Sequence, residues 1–299
     1  MAHQIAGRAA APAQARRGAG TRKLIRGLIA HGLLIGVGAL FAVPFLWLVI
    51  TSLKLKSQVF TDPLVWIPDP IMWSNYPKAL TTPGFPYLQQ LGNTLFFAIT
   101  STVGMTLSSA VVAYAFARMA FRGRDLLFAV TLATMMLPGI VTLIPTYVMF
   151  STFGWVGSYA PLVIPMWFGG AFNIFLLRQF MMTIPLDLTD AARVDGASDL
   201  LILFRIMAPL VRPALIVVAL FHFLATWNEF MGPLIYLDEV REYPLVLGLY
   251  TFRGRQGQSI EWQLIMAASL AVIAPVIALF FAAQRYFIEG VTLTGLKGG

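Results

Sequence analysis

Four aspartates (Asp187, Asp190, Asp195, Asp199) and three arginines (Arg193, Arg205, Arg212) lie between Pro185 and Pro213 in a chain otherwise poor in charge. Their spacing suits docking rather than bond-making chemistry. Pro185 ends what precedes it, and Asp187 is a predicted N-cap, with Asp190 three residues on as its capping-box partner. Thr189 is a second candidate cap. Both aspartates also suit the positive end of a helix dipole. Asp190 to Asp195 then reads as a short helix, closed by Gly196 in a left-handed turn. Ala191 and Ala192 leave that helix nearly bare, so another protein could lie close against it. From Leu200 a second helical pattern runs through Leu203, Phe204 and Met207, with Arg205 opposite, until Pro209 breaks it. The residues predict a helix–turn–helix hairpin over about 185–212; a charged loop with solvated faces is the plainer alternative.

A second group could meet a polar solute. Glu229 is the only acid within an apolar span. At about 1.5 Å per residue from Pro213 it sits roughly 24 Å along, near one face of a core about 30 Å thick. Trp227, Asn228 and Glu229 either line a gate at that face or cap the span there. Asn173, with Trp167 before it, either faces a central cavity or makes a helix–helix hydrogen bond. His31 and His222 show no metal-ligand spacing, Asp62 and Asp69 show no calcium-loop spacing, and the chain has no cysteine. No metal site is expected. Disulfides and thiol catalysis are excluded.

The elements that must carry these residues are membrane spans. The chain is 58% hydrophobic and 11% charged, with a mean hydropathy of +0.77. Six segments are long enough to cross a bilayer as helices: 28–50, 91–117, 126–150, 155–177, 213–237 and 262–283. The ten-residue alternation of a β-barrel is missing, so the expected fold is all-α. With both termini placed in the cytoplasm, fifteen of the 21 basic residues fall inside, and only Lys54, Lys56, Lys78, Arg241, Arg253 and Arg255 fall outside. That bias satisfies the positive-inside rule and accounts for the net charge of +8 without nucleic acid.

Residues 1–23, acid-free and rich in Ala, Gly and Arg, read as a disordered cytoplasmic tail ahead of a membrane domain over 24–299. An organellar leader is the alternative, although span one is too long for a cleaved signal core. Two outer loops are expected, about 51–90 and 238–261. The first is rich in Pro, Trp and Tyr, as interfaces favour; the second is charged, so it should be wet and open to a partner. Pro44, Pro138, Pro145, Pro161, Pro165 and Pro275 should kink their spans, and Gly169–Gly170 and 101–110 should let helices approach closely.

The hairpin also carries a resemblance. Asp190-Ala191-Ala192, Gly196, Ile206 and Pro209 resemble the Glu-Ala-Ala loop of ABC-importer permeases, with Asp190 in the place of Glu and Ala208 in the place of Leu. The string Asp190 to Ser198 is similar to the carbohydrate-uptake branch in particular. So are Thr226-Trp227-Asn228-Glu229-Phe230, Met266 to Ser269, and the ending from Gln284 through Gly298. The likeness to G-type permeases of maltose transporters extends over roughly residues 25–299.

The resemblance implies a type I importer permease fold in a bacterial or archaeal cytoplasmic membrane. It implies that the hairpin is a coupling helix, with Asp190, Ala191, Ala192, Asp195, Gly196 and Ala197 against a cytoplasmic ATPase subunit. The implied partners are a second permease, two ATPase subunits that bind ATP and Mg, and an extracytoplasmic solute-binding protein at the outer loops. The C-terminal tail from Gly290 would also reach the ATPase pair. This chain has no Gly-x4-Gly-Lys-Ser/Thr loop, so no cofactor is expected in it and the energy comes from outside. An ion-coupled secondary carrier would want ionisable residues at the membrane midplane and an inverted repeat; neither occurs. An embedded enzyme would want a nucleophile–base pair within the spans, which is also missing. An ABC permease for a non-sugar solute stays open.

Overall fold

The computed structural model describes residues 13–255 and 260–295, and the described residues are helical without a strand. Helix α1 (Ala13–Ser52) begins ahead of the first apolar span. Residues 13–23, expected as disordered tail, are thus helical, because alanine and arginine propagate a helix that the span already nucleates. Residues 1–12, the rest of that expected tail, and 296–299, the end of the C-terminal segment expected to reach the ATPase pair, lie outside the described residues.

Among the described residues, four helical stretches are long and apolar enough to cross a membrane: 25–52 within α1, Tyr87–Arg118 (α3), Ala160–Met182 and 262–284. Two further spans are helix pairs bent by 98° and 85°, which makes up to six. The expected third span is not one rod. It consists of α4 (Arg124–Thr134) and α5 (Gly139–Thr152), broken at Pro138. The proline ring keeps Leu137 out of helical geometry and donates no N–H, so the chain turns there. The fourth span starts at Ala160 rather than 155. It runs through α6 (Ala160–Val163) and a tight 3-10 turn (Ile164–Phe168), breaks at Gly169 (φ +86°), and resumes as α7 (Ala171–Met182). Pro44, Pro145 and Pro275, by contrast, sit inside unbroken helices.

Helix α3 is the central post, packed along α7 and along α11 (Arg212–Trp227). Small residues make the approach close. A side chain on Gly104 would put its first carbon 2.5 Å from the Trp167 ring, and one on Gly170 would reach the Met105 sulfur at 2.9 Å. Ser109 Oγ accepts the freed N–H of Gly170 at 3.2 Å, which closes the backbone gap left by the break.

The loops at the end opposite the hairpin are less open than their composition suggests. In the first, Asn75, on α2 (Asn75–Thr81), donates to the carbonyls of Ser52 and Lys54, each at 2.9 Å. In the second, α12 (Met231–Tyr236) is followed by α13 (Leu245–Arg255). Leu245 and Phe252 are buried against Phe85, Trp227 and α14 (Trp262–Gly295), and Leu247 is buried as well. Within the expected wet loop over 238–261, Asp238, Glu239 and Arg241 are exposed ahead of this buried stripe and Arg253 is exposed after it, while residues 256–259 lie outside the described residues. The apolar stripe from Leu245 to Phe252 is flanked by charges that mask it in the sequence.

Gly104→Val should lower the unfolding midpoint of the detergent-solubilised protein, since overpacking of this kind costs about 1–3 kcal/mol. Gly92→Val, where nothing lies within 4 Å of the added carbon, should leave the midpoint unchanged.

Candidate functional site: the charged hairpin

The hairpin begins with α8 (Leu186–Val194), two residues earlier than an N-cap at Asp187 would set it. Pro185, extended at ψ 140°, takes the N-cap place and no side-chain cap bond forms. The capping box of Asp187 and Asp190 is absent because the helix starts before it. Asp187 remains in the first turn, where the helix dipole favours a carboxylate. Thr189 is buried and donates to the Leu186 carbonyl at 2.8 Å.

Gly196 does close the helix. Its φ is +83°; its N–H donates to the Arg193 carbonyl at 3.0 Å, and the N–H of Ala197 reaches the Ala192 carbonyl at 2.9 Å. These are the two bonds of a Schellman turn, which a residue with a Cβ occupies only under strain. Ser198 then caps α9 (Asp199–Ile202), accepting the Leu201 N–H at 3.4 Å. A π-type turn over Leu203–Met207 leads into α10 (Ala208–Leu210). Pro209 does not break the helix as expected, because the widened turn before it absorbs the clash of its ring. The bend comes at Val211, ahead of Arg212 and Pro213.

The bare alanine surface is divided. Ala191 is exposed, but Ala192 packs into the subunit's own core with Ile202, Leu203 and Met207. Asp187, Asp190, Ala191, Val194, Asp195 and Gly196 are exposed and Ala197 is half-buried. Exposed aliphatic residues accompany the acids: Val194 is 87% exposed.

What holds the hairpin is a charge network that sequence reasoning missed. Arg193 bonds Asp190 at 3.2 Å, Asp199 at 3.0 Å and the carbonyl of Arg118 at 3.2 Å. Tyr114 donates to the same Asp199 oxygen at 2.9 Å. Arg118 is buried and donates to the carbonyls of Met181 and Ile184, at the end of α7. Both arms of the hairpin are thereby tied to the last turn of α3, and α3 to α7. Arg193 and then Tyr114 hold the Asp199 carboxyl below its ordinary range, and Asp199 raises Arg193 in turn. A depressed carboxyl contributes its full stabilisation at neutral pH and loses it only as pH falls through the lowered value. One signal was present: Tyr114 and Arg118 stand one turn apart at the inner end of a span.

The four solute-path candidates do not share one surface. Trp227 is 2% exposed, 5.7 Å from Phe223, within the core that also holds Phe252. It therefore faces away from Glu229. Asn228 ends α11 and donates to the Leu224 carbonyl at 2.8 Å. Glu229 accepts the Gly232 N–H at 2.9 Å, so it caps the start of α12. Asn173 is half-buried on the first turn of α7. Among the described residues no group of three or more His, Cys, Asp or Glu could hold a metal.

Residues 109–292 match the model for the binding-protein-dependent transport system inner membrane component. The arabinooligosaccharide transport permease AraQ of Halalkalibacterium halodurans is 31% identical over 85% of this chain and 91% of its own. The trehalose/maltose transport permease MalG of Thermococcus litoralis is 31% identical over 91% and 96%. Among solved structures, a bacterial ABC transporter involved in import of the acidic polysaccharide alginate superposes with a TM-score of 0.77. That match has 26% identity and covers 89% of this chain and 98% of that one.

Asp199→Ala should speed hydrogen–deuterium exchange across 186–202, because it removes at once the bonds from Arg193 and Tyr114 that hold the second arm to α3. Arg193→Ala should do the same, and the double variant should add little, since both remove one network.

Proposed function

The chain belongs to the binding-protein-dependent transport system inner membrane component family, and from that membership we propose that it carries a sugar into the cell as a permease subunit of an ATP-driven importer. It is a multi-pass transport component of the membrane, not an enzyme. Sugar as the solute class rests on the relatives named for arabinooligosaccharides and for trehalose and maltose.

The proposed complex contains a second, related permease, two cytoplasmic ATPase subunits and an extracytoplasmic binding protein. In this reading both termini lie in the cytoplasm, which the distribution of basic residues supports. ATP and Mg belong to the ATPase subunits. The hairpin enters a cleft in one of them, presenting Asp187, Asp190, Ala191, Asp195 and Gly196. The binding protein docks at the opposite end, on the exposed tip around Asp238 and Arg241 and on the first outer loop.

The single observation that supports coupling through the hairpin is its attachment. Arg193 and Asp199 join it to α3 through Tyr114 and the Arg118 carbonyl, and Arg118 passes the connection to α7. A push on the exposed face of α8 then moves two spans as one body instead of bending a loop. Closure of the ATPase pair converts in this way into a change of which side the solute path faces. Asn173, Asn228 and Glu229 remain path candidates, whereas Trp227 acts in packing.

In the importer assembled with its partner subunits, Gly196→Val should abolish sugar uptake and the stimulation of ATP hydrolysis by loaded binding protein. The protein should still insert. Gly196→Asn tolerates a left-handed turn and should keep the hairpin folded, so it reports the effect of added bulk at the contact alone. Normal uptake by both variants would overturn the coupling role.

A further inference from the structure

One cavity of about 370 Å³ opens beside the bend after α11, inside this subunit alone. His222 and Thr226, one turn apart on α11, line it together with Glu229, which lies just past the end of that helix. Phe97, Phe150 and Tyr236 supply aromatic walls from α3, α5 and α12. Its volume lies at the small end of the roughly 300–1,000 Å³ of small-molecule sites, and its make-up is theirs too: mostly apolar, with a few convergent polar groups.

The polar groups are costly where they stand. His222 Nε2 is shielded from solvent and has no hydrogen-bond partner among the described residues. A buried polar atom without a partner costs about 1–3 kcal/mol, and ionisable residues within spans mark solute pathways by default. Glu229 spends one oxygen on the Gly232 N–H and keeps further acceptor capacity toward the cavity. Packing does not require this arrangement. A leucine at position 222 would fill the same wall more cheaply.

The geometry points to a subsite for a single neutral sugar ring in this cavity, with Thr226 and Glu229 bonding its hydroxyls, the His222 ring turning from its shielded position to join them, and the aromatic residues covering its apolar face. This inference rests on the sugar-import reading and deepens it. A sugar hydroxyl both donates and accepts, so it can serve a histidine nitrogen and a carboxylate at once. A uronic acid or a phosphate would meet the Glu229 carboxylate as a like charge in a medium of low dielectric, which disfavours it. The acidic polysaccharide of the superposed importer is therefore the wrong class for this cavity.

The chain has no cysteine, which makes the test direct. Thr226→Cys introduces its only thiol, and Ala225→Cys, on the same cavity wall, is an independent reporter should the first variant fold poorly. Membranes holding the assembled importer are treated with a charged thiosulfonate without ATP, and modification is followed on this chain. The probes are maltose, trehalose and an arabinooligosaccharide, with an alginate pentasaccharide as the acidic control. At least one neutral sugar that the importer takes up should slow modification about tenfold, and the alginate fragment should not. His222→Leu in the same background should remove the protection, and His222→Gln, which keeps a donor and an acceptor, should retain it. Sugar uptake with no protection by any neutral probe would overturn the subsite and leave the sugar importer standing. No uptake of any saccharide would overturn the sugar reading and the subsite together. Equal protection by the alginate fragment would overturn the selectivity for a neutral ring.

Discussion

Asp199 accepts from Arg193 and Tyr114 at once, and the rest of the structure depends on that junction. The hairpin has only nine residues in its first helix and four in its second, too few to be stable alone. Its burial is confined to one side, where Ala192, Ile202, Leu203 and Met207 meet α3 and α7. Individually the ion pairs are half exposed and would contribute little. Together with the carbonyls of Arg118, Met181 and Ile184 they form a connected network, in which each bond fixes the geometry of the next. The outcome is a small element that is rigid relative to two spans while its far side stays open.

The spans follow the same rule by other means. Without water to receive a freed N–H or carbonyl, a membrane helix breaks only where a side chain or another helix takes over. The break at Gly169–Gly170 obeys this, with Ser109 accepting the Gly170 N–H. At Pro138 the lost donor is the proline's own, so the cost is lower. The bend after α11 is closed by Asn228 and Glu229, each bonded to backbone one turn away. Broken helices thus occur where polar residues can serve them, and the same breaks open the cavity next to His222.

Membrane class and position of the hairpin were legible before any coordinates. Runs of twenty apolar residues have one common solution in a bilayer, and a charged interval between two of them stands out. Gly196 was legible for a similar reason: a glycine just past a helix has a local cause in its own backbone. Features with long-range causes were not legible. Asp187 was the better cap by residue type, yet Pro185 moved the helix start upstream. The charged segment 238–261 concealed α13, because its apolar stripe gains from burial only when Phe85 and Trp227 are there to meet it.

The sequence by itself determined which residues must leave water, which must stay in it and where the backbone must turn, since those depend on side-chain solvation and local sterics. Only the tertiary structure decided partners. It turned Ala192 inward and Ala191 outward, set Trp227 in a core instead of a path, and brought Tyr114, Arg118 and Asp199 together across some eighty residues of chain. Such choices depend on the relative rotation and height of helices. That is a property of how neighbouring surfaces interlock, which no single segment carries.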